Sequence, residues 1–571
     1  MATPSSERPY VASLAEHRRL VGGLQRVLAA QGEVRTVETH ISTVLLAGSR
    51  AYKLKKPVAL GFLDFCALAA RRRACADEVR LNRRTAPQLY RGVLAITGTP
   101  EAPVLAAAAD VDDMADAAYA ADAPDAADAA DAADAADAAD AAGAATTAGP
   151  AIDYAVCMQR FDPAQGLDAL AQRGALPLTA MAPLGRAIAA LHAGAVAAPA
   201  GSVYGSVTSL RDWTQRTVRG LRDCVGAPAD RARVDALGQW CERELQRHAA
   251  LVEARRAGGR VREGHGDLHL GNVVLLDGVA VPFDALEFNA ELRFIDAVGD
   301  VAFLWMDLLD HGLPGHAAVL LDAWLEASGD ADGLPLLRGF AVYRALVRAL
   351  VAQLRARQPD TPVAGRVREH AGFGHYLTLA ERLCVGQPAL VVMTGLSGSG
   401  KSQVAARLAQ RLGGVRVRSD VERKRLAGLD WRDAAPAPPG LYAAAMTART
   451  YARLQAVAGA ALDAGLPVVV DAAALRAAER RALMGVADAA VAPACIVECT
   501  APLAVLRRRV AERSARADDP SDATAAVVEA QVQWREPASD DERARWWQID
   551  TAASPQQQAA ALDRVVAALR R

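Results

Sequence analysis

The stretch "GHGDLHLGNVV", residues 264–274, has a spacing of polar residues that invites two kinds of chemistry. His265 and His269 lie four residues apart, with Asp267 between them and Asn272 five residues after Asp267. On a helix, a histidine pair at i, i+4 can hold a metal ion. In a loop, Asp267 can act as a base and Asn272 as a magnesium ligand, which is the chemistry of phosphoryl transfer.

The residues around this stretch favour the loop. Three glycines within it would break a helix, and no third metal ligand follows at a suitable spacing. Two apolar runs flank a turn at Asp277-Gly278, and Asp284 follows the second run. The spacing of Asp267 and Asn272 matches the kinase pattern HRDLxxxN, and Asp284 stands where a second magnesium-binding aspartate is expected.

A second phosphate-binding pattern lies near residue 400. The stretch "GLSGSGKS" matches GxxxxGK[ST], with an apolar strand pattern before it and an amphipathic helix pattern after it. Glycines let successive backbone N–H groups point at phosphate oxygens, and the helix N-terminus adds positive potential. The sequence therefore predicts nucleotide binding by Gly395, Gly398, Ser399, Gly400, Lys401 and Ser402, with the Ser402 hydroxyl in a magnesium shell.

Two aspartates are expected beside this loop. Asp420 and Asp471 each stand at the end of a predicted strand, and ligands of α/β sheets bind at the carboxyl ends of the strands. We assign Asp471 to magnesium and Asp420 to the acceptor hydroxyl proton. Arg509 and Arg513 share one helix face, where they either clamp the transferring phosphate or form surface salt bridges.

The first half resembles the aminoglycoside phosphotransferase and choline kinase branch of the protein-kinase-like fold. The resemblance rests on "HGDLHLGN" and the later Asp284, and it covers about residues 30 to 330, with further helices to about 384. It implies that Asp267 is the catalytic base and that Asn272 and Asp284 bind magnesium. It also implies an ATP-binding lysine on a strand. In "RAYKLKK", Lys53 and Lys55 share one strand face, and we favour Lys53, with Glu78 as its partner.

The second half resembles the small P-loop kinases of the gluconate-kinase, polynucleotide-kinase and zeta-toxin type, an AAA-type P-loop domain. The matching stretches are "GLSGSGKS", "SDVERKRL", "VVVDAA" and "LRRRVAER" followed by "PSDA", within residues 388 to 571. The resemblance implies phosphoryl transfer to a small hydroxyl-bearing acceptor rather than mechanical ATPase work.

Composition limits the other function classes. The 571 residues carry 65 basic and 66 acidic side chains, so the chain lacks the overall positive charge that is typical of nucleic-acid-binding proteins. The 5′ end of a polynucleotide is still a possible phosphate acceptor. No uncharged apolar run is long enough for a membrane span, and no export signal is apparent, so we expect a cytoplasmic protein. The eight cysteines form no CxxC pair and are expected to be reduced.

The chain is expected to contain two domains, 1–385 and 386–571. Residues 105–149 hold eleven aspartates and no Lys or Arg, which predicts an acidic insertion. The strand patterns "GVLAIT" before it and "DYAVCMQRF" after it indicate that it lengthens the loop of a hairpin. The predicted fold class is an α+β, two-lobed kinase-like domain followed by an α/β P-loop domain with a parallel sheet. The predicted function is a bifunctional phosphotransferase that uses ATP and Mg²⁺ on small hydroxyl-bearing molecules.

Two alternatives remain at this point. In one, only the P-loop domain turns over nucleotide and the first domain senses it. In the other, the chain is an ATP-dependent switch without a small-molecule acceptor. True aminoglycoside resistance is weakly supported, since no acidic pocket for a cationic drug can be identified.

Overall fold

The computed structural model describes residues 10–60, 63–107, 149–357, 362–430, 438, 440–516 and 525–570. The chain forms two compact units. The first unit contains residues 1–176, 195–204 and 261–295, and the second contains residues 177–194, 205–260 and 296–571. The expected domain boundary near residue 386 stays a prediction.

The strands of both units are numbered in chain order. They are Val34–Glu38 (β1), Ser42–Ala47 (β2), Arg50–Lys55 (β3), Ala59–Leu60 (β4), Leu63–Asp64 (β5), Tyr90–Thr99 (β6), Ala102–Ala107 (β7), Asp153–Gln159 (β8), Val261–Glu263 (β9), Val273–Leu276 (β10), Val279–Pro282 (β11), Phe294–Asp296 (β12), Ala389–Thr394 (β13), Val415–Arg418 (β14), Pro467–Asp471 (β15), Ala494–Thr500 (β16) and Trp546–Asp550 (β17).

The α-helices are numbered in the same way. They are Leu14–Leu28 (α1), Leu68–Arg83 (α2), Leu167–Gln172 (α3), Met181–Gly194 (α4), Val207–Cys224 (α5), Pro228–Arg247 (α6), Ala249–Ala257 (α7), Ala290–Arg293 (α8), Ala297–Asp310 (α9), Pro314–Ser328 (α10), Leu334–Ala356 (α11), Val363–Cys384 (α12), Lys401–Leu412 (α13), Ser419–Leu426 (α14), Ala444–Asp463 (α15), Ala477–Ala489 (α16), Leu503–Arg516 (α17), Ala525–Trp534 (α18), Asp540–Arg543 (α19) and Pro555–Leu569 (α20).

The first unit is built on an antiparallel sheet with the order β1-β2-β3-β8-β6-β7. The Gly48-Ser49 turn joins β2 and β3 in the predicted hairpin. Apolar residues of β2, β3 and β8 pack with those of α1 in one buried cluster. Strand β3 thus lies between two neighbours, and this fixes the direction of its lysine side chains.

The two strand patterns expected on either side of the acidic insertion are β6 and β8, and they do pair antiparallel, but a further strand lies between them in the chain. The strand that enters the insertion is β7, and β7 and β8 pair with opposite edges of β6 rather than with each other. The sequence analysis missed β7 because its short "APVLAA" run is poor in β-branched and aromatic residues. Residues 108–148, which form nearly all of the insertion, lie outside the described residues.

A second hairpin, β10–β11, follows the "HGDLHLGN" loop. Its turn residues, Asp277 and Gly278, have φ values of 49° and 81°. Two successive positive φ values match the right-handed twist of a two-residue hairpin, and Asp-Gly is a favoured pair for them. The turn predicted from the sequence therefore sets the register that places Asp284 just after β11.

The second unit combines a largely helical region with a parallel sheet of order β14-β15-β13-β16-β17. All six residues of the central strand β13 are buried, as are all five of β15. Such continuous apolar strands are typical of parallel sheets that are covered on both faces. The predicted fold class, an α+β fold followed by an α/β P-loop fold, is confirmed.

Within the described residues, no helix is long and apolar enough to cross a membrane.

Acid is expected to destabilise the first unit through His17 of α1. This side chain is only 2% exposed, and its Nε2 atom lies 2.9 Å from Thr43 Oγ1. Burial, followed by the charges of Lys56 and Arg71, lowers the pKa of His17 from 6.5 to about 4. The unfolded chain therefore binds the proton first, and stability falls as the pH drops from 6.5 to 4, by roughly 3 kcal/mol.

The variant His17→Gln removes this titration while its amide can still contact Thr43. Denaturant unfolding between pH 7 and pH 4 should show a smaller loss of stability in His17→Gln than in the parent chain. Equal pH dependence in both proteins would show that His17 does not titrate on unfolding.

Candidate active sites

The first unit brings together the five polar residues that the sequence singled out in its half of the chain, and we call them the front site: Lys53, Glu78, Asp267, Asn272 and Asp284. Strand β3 directs Lys53 toward helix α2 and toward the segment after β11. Lys53 Nζ lies 2.8 Å from Glu78 Oε1 and 2.6 Å from Asp284 Oδ1. A single cation therefore joins three elements that are far apart in the sequence.

The charge states in the front site follow from burial and pairing. Burial opposes ionisation of Glu78, but the charges of Lys53 and Lys55 outweigh it and hold the pKa of Glu78 at about 2. Burial also opposes the charge on Lys53, yet the carboxylates of Asp284 and Glu78 hold the pKa of Lys53 well above its usual value. Lys53 is thus a fixed cation at neutral pH.

Asp267 and Asn272 lie together in the loop before β10. The Asn272 side-chain amide donates to the Asp267 carbonyl oxygen (2.9 Å) and to Asp267 Oδ2 (3.0 Å). The Asp267 side chain is 42% exposed, so solvent and small ligands can reach its carboxylate. The Phe283 N–H donates to the Asn272 carbonyl oxygen (2.9 Å), which ties this loop to the residue before Asp284.

The two histidines of the loop do not form a stacked pair. Residues 264–269 form an irregular loop in which Gly266 has a φ of 81°, and a short 3₁₀ turn, Leu270–Asn272, follows it. His265 Nε2 lies 3.0 Å from the Phe283 carbonyl oxygen, and His269 Nδ1 accepts from the Gly271 N–H (3.0 Å). Both contacts stabilise the loop, so the structure supports the loop interpretation over the helical metal pair.

Asp284 has an unusual backbone that neighbouring side chains maintain. Its φ is 62°, a left-handed value that is uncommon outside glycine. Tyr90 Oη accepts from the Asp284 N–H (3.1 Å), and Asn82 Oδ1 accepts from the Ala285 N–H (2.8 Å). The sequence analysis missed Tyr90 and Asn82, since no local pattern connects them to a residue almost 200 positions away.

A buried cluster of charges, Lys55 with Glu78 and Glu287, lies next to Lys53 in the front site. Lys55 is fully buried and contacts both Glu287 and, at 2.5 Å, Glu78 Oε2. The two lysines of β3 share a face, but only Lys53 also contacts the Asp284 side chain. The sequence analysis missed Glu287, although a second lysine on a buried face is a signal that a further carboxylate must be present.

The two lysines should respond differently to substitution. Lys55→Met leaves the buried Glu287 carboxylate without its cation, and we expect a loss of about 3–5 kcal/mol in stability. Lys53→Met leaves Glu78 paired with Lys55, so its main effect should be weaker nucleotide binding. Denaturant unfolding and fluorescent ATP binding of both variants test this contrast, and similar stability losses in the two would contradict it.

The second unit contains the P-loop site, which we define as residues 395–402 with the side chains of Asp420, Asp471 and Arg509. The loop connects the central strand β13 to helix α13, and Gly400 precedes the helix with φ of 81°. A Cβ atom on Gly398 would lie 2.7 Å from the Leu506 carbonyl oxygen, and φ there is 79°. The glycine spacing of the motif is therefore required by the backbone.

Two hydrogen bonds stabilise the backbone of the P-loop. The Gly395 N–H donates to the Ala473 carbonyl oxygen (3.1 Å), and Lys401 Nζ donates to the Leu396 carbonyl oxygen (2.9 Å). Ser399 Oγ is buried and has no hydrogen-bond partner among the described residues. Gly398, Gly400, Lys401 and Ser402 all line a cavity of about 1140 Å³.

Both predicted aspartates line the same cavity. Asp471 ends β15 and is 5% exposed, and its Oδ2 atom lacks a hydrogen-bond partner among the described residues. Asp420 does not end a strand as predicted: β14 stops at Arg418, and Asp420 lies two residues later, in the first turn of α14. Arg418 Nε lies 3.8 Å from Asp471 Oδ2.

Arg509 also lines the cavity, on helix α17. Its guanidinium donates to Thr551 Oγ1 and to the Thr551 carbonyl oxygen, both at 2.9 Å. Arg509 makes no ion pair among the described residues, and both interpretations of its role stay predictions. The side chain of Arg513 lies outside the described residues.

Arg423 is a cavity residue that the sequence analysis did not single out. It is 7% exposed and follows Asp420 by three positions on α14, so the two lie on one helix face. Its guanidinium lies 5.0 Å from the centre of the Tyr442 ring, and Thr447 Oγ1 accepts from it (3.2 Å). The motif "SDVERKRL" contains too many cations for spacing alone to identify this one.

Both sites offer ligands that suit Mg²⁺, which prefers hard oxygen atoms. In the P-loop site these are the Ser402 hydroxyl and the Asp471 carboxylate with its unpaired buried oxygen. In the front site they are the Asn272 amide oxygen and the Asp284 carboxylate. The donor sets therefore fit the predicted ion.

Comparisons with known proteins find relatives of both halves. Residues 390–538 match AAA_33, an AAA domain. The uncharacterized protein Rv2004c of Mycobacterium tuberculosis is 27% identical over 502 residues, which is 86% of this chain and 88% of that protein.

Solved structures are similar to parts of the chain. A gluconokinase from Sinorhizobium meliloti is 21% identical and covers 32% of this chain and 95% of its own, with a TM-score of 0.23. A choline/ethanolamine kinase family protein from Mesorhizobium loti is 12% identical and covers 64% of this chain and 99% of its own, with a TM-score of 0.30. The family match of residues 390–538 agrees with the P-loop resemblance expected for the second half.

Proposed function

We propose that this protein is a bifunctional, Mg²⁺- and ATP-dependent phosphotransferase that phosphorylates hydroxyl groups of small molecules. The main support is that each compact unit contains a lysine suited to bind phosphate, in a site that also contains carboxylates suited to bind magnesium. Lys53 fills this role in the front site and Lys401 in the P-loop site. The match of residues 390–538 to an AAA domain supports nucleotide binding by the second unit.

In the front site, Lys53 would bind the ATP phosphates and Glu78 would hold Lys53 in place. Asn272 and Asp284 would hold the magnesium ion, which neutralises phosphate charge. Asp267 is exposed, and its hydrogen bond from Asn272 orients the carboxylate toward one position of an acceptor. Asp267 would then accept the proton of the attacking hydroxyl.

In the P-loop site, the backbone of residues 395–402 would cradle the phosphates, and Lys401 and Arg509 would balance the charge of the transferred group. Asp471 and Ser402 would hold magnesium. Asp420 would accept the hydroxyl proton. Because Arg423 lies on the same helix face as Asp420, the cavity favours an acceptor with a negative group near its hydroxyl.

The second candidate is an ATP-dependent regulator in which only the P-loop domain turns over nucleotide. One observation favours it: no GxGxxG loop precedes Lys53, where the stretch "LLAGSRAY" is all that is present. A front site without a phosphate-covering loop would bind ATP more weakly and serve as a sensor.

Transfer of labelled γ-phosphate from ATP to an extract of small metabolites separates these functions. The parent chain, Asp267→Asn and Lys401→Met would be compared by the phosphorylated products they form. The bifunctional proposal requires that each substitution remove a different product. Loss of all products in Lys401→Met alone would favour the regulator, and turnover that needs no acceptor would favour a switch.

A further inference from the structure

The edge of the parallel sheet in the second unit is covered by helix α10. Strand β14 is an edge strand, and edge strands expose unpaired backbone groups unless another element covers them. The Arg416 N–H of β14 donates to Asp322 Oδ1 of α10 (3.1 Å). The Arg416 guanidinium donates to Asp322 Oδ2 through Nε (3.2 Å) and Nη2 (3.0 Å).

Glu326, one turn later on α10, contacts two arginines of β14. Its Oε1 atom accepts from Arg416 Nη2 (3.3 Å) and from Arg418 Nη1 (3.5 Å). All three side chains are 13% exposed, so their charges are poorly screened by solvent. One carboxylate therefore sets the position of two cations.

Arg416 and Arg418, which contact α10, also contact residues of the P-loop site. Arg416 Nη1 donates to the Ser402 carbonyl oxygen (3.3 Å), and Arg418 Nε lies 3.8 Å from Asp471 Oδ2. Ser402 and Asp471 are the two residues that we assign to magnesium. Two short chains of contacts thus lead from α10 to both proposed metal ligands.

We propose that Asp322 and Glu326 are positioning residues of the P-loop site, supplied by a helix that precedes the P-loop segment. The inference rests on the proposed function, because it assumes that Ser402 and Asp471 hold magnesium with ATP. Asp322 fixes Arg416 against the backbone of Ser402. Glu326 draws Arg418 away from Asp471, so that the Asp471 carboxylate stays available to the ion.

These contacts lie within one compact unit, which contains both the helical region and the P-loop fold. A P-loop segment cut at residue 386 would lose both carboxylates, and the Arg416 and Arg418 side chains would lose these partners. Arg418 would then be drawn to Asp471, because opposite charges at low exposure attract strongly.

The test measures magnesium affinity without turnover. Binding of a fluorescent ATP analogue is followed as Mg²⁺ is titrated, in full-length chains that carry Lys53→Met to weaken the front site. We expect Glu326→Gln to raise the Mg²⁺ concentration for half-maximal binding by about threefold to tenfold. Asp332→Asn is the matched control: Asp332 is 69% exposed and its partner, Arg453, contacts neither metal ligand through any described hydrogen bond.

A double-mutant cycle separates positioning from loss of structure. In chains that also carry Arg418→Gln, Glu326→Gln should change the Mg²⁺ requirement clearly less, because only its contact with Arg416 remains. The proposal is overturned if Glu326→Gln behaves like Asp332→Asn, or if its effect is the same with and without Arg418. If the proposed function itself is wrong, the result is a different one. The chain that carries only Lys53→Met would then show no Mg²⁺-dependent binding of the ATP analogue that is abolished by Lys401→Met.

Discussion

Replacement of Lys401 by methionine is expected to lower phosphoryl transfer in the P-loop site by about a thousandfold. A preorganised cation or donor that meets developing phosphate charge contributes on the order of 10²–10³ in rate, and Lys401 also binds the ground-state phosphates. Methionine keeps most of the apolar part of the side chain and removes the ammonium group, with its charge and its hydrogen bond to the Leu396 carbonyl oxygen. The measurement is the rate of the product that depends on the P-loop site, at saturating ATP.

The matched control for this variant is Arg411→Met. Arg411 lies on the same helix, α13, and pairs at the surface with Asp563, whose side chain is 69% exposed. This substitution also removes one positive charge from α13, yet it should leave the rate within a factor of about two, because exposed ion pairs contribute little. Similar losses in both variants would show that the effect comes from the helix and not from the phosphate site.

The second large effect is expected for Asp267→Asn in the front site. Asparagine keeps the shape of the side chain and can still contact Asn272, but it cannot accept the acceptor proton. General base catalysis contributes about 10²–10⁴ in rate, so kcat should fall by that range while ATP binding changes little. Single-turnover transfer to the acceptor of the front site, together with ATP affinity, gives both quantities.

Asp277→Asn is the control for this experiment. Asp277 is exposed in the turn of the β10–β11 hairpin, and asparagine tolerates its positive φ as well as aspartate does. It removes the same charge only ten positions from Asp267. If Asp267→Asn retained the rate of this control, Asp267 would not be the base, and the regulator hypothesis would gain support.

Local patterns were enough to predict the elements that carry the two motifs. The Asp277-Gly278 turn defined the hairpin before Asp284, and the apolar run before Gly395 defined the central strand of the parallel sheet. These predictions rest on backbone requirements that act within a few residues. The P-loop needs glycine where a Cβ atom would strike the backbone, so its spacing is visible in the sequence.

The contacts that hold these elements together were not predictable in the same way. The Lys55–Glu287 pair spans 232 positions, and Tyr90 supports Asp284 across 194. Where helix α10 covers β14, Asp322 contacts Arg416, which lies 94 positions later in the chain. Charged residues are common on helices, so their spacing does not reveal which ones are buried or what they meet once the chain has folded.

Strand β7 shows a different limit. It pairs with β6 at the edge of the sheet, and tertiary pairing determines its conformation more than its alanine-rich sequence does. The expectation for the acidic insertion was incomplete for this reason: β6 and β8 do pair antiparallel, but the strand that enters the insertion, β7, was not recognised between them.

The number of nucleotides bound per chain tests the central claim, two independent phosphotransferase sites, most directly. Equilibrium dialysis with a non-hydrolysable ATP analogue and excess Mg²⁺ should give two per chain. Lys53→Met and Lys401→Met should each leave one, and the double variant none. A single nucleotide per chain that is lost in Lys401→Met and retained in Lys53→Met would contradict the account and leave the front site without a nucleotide.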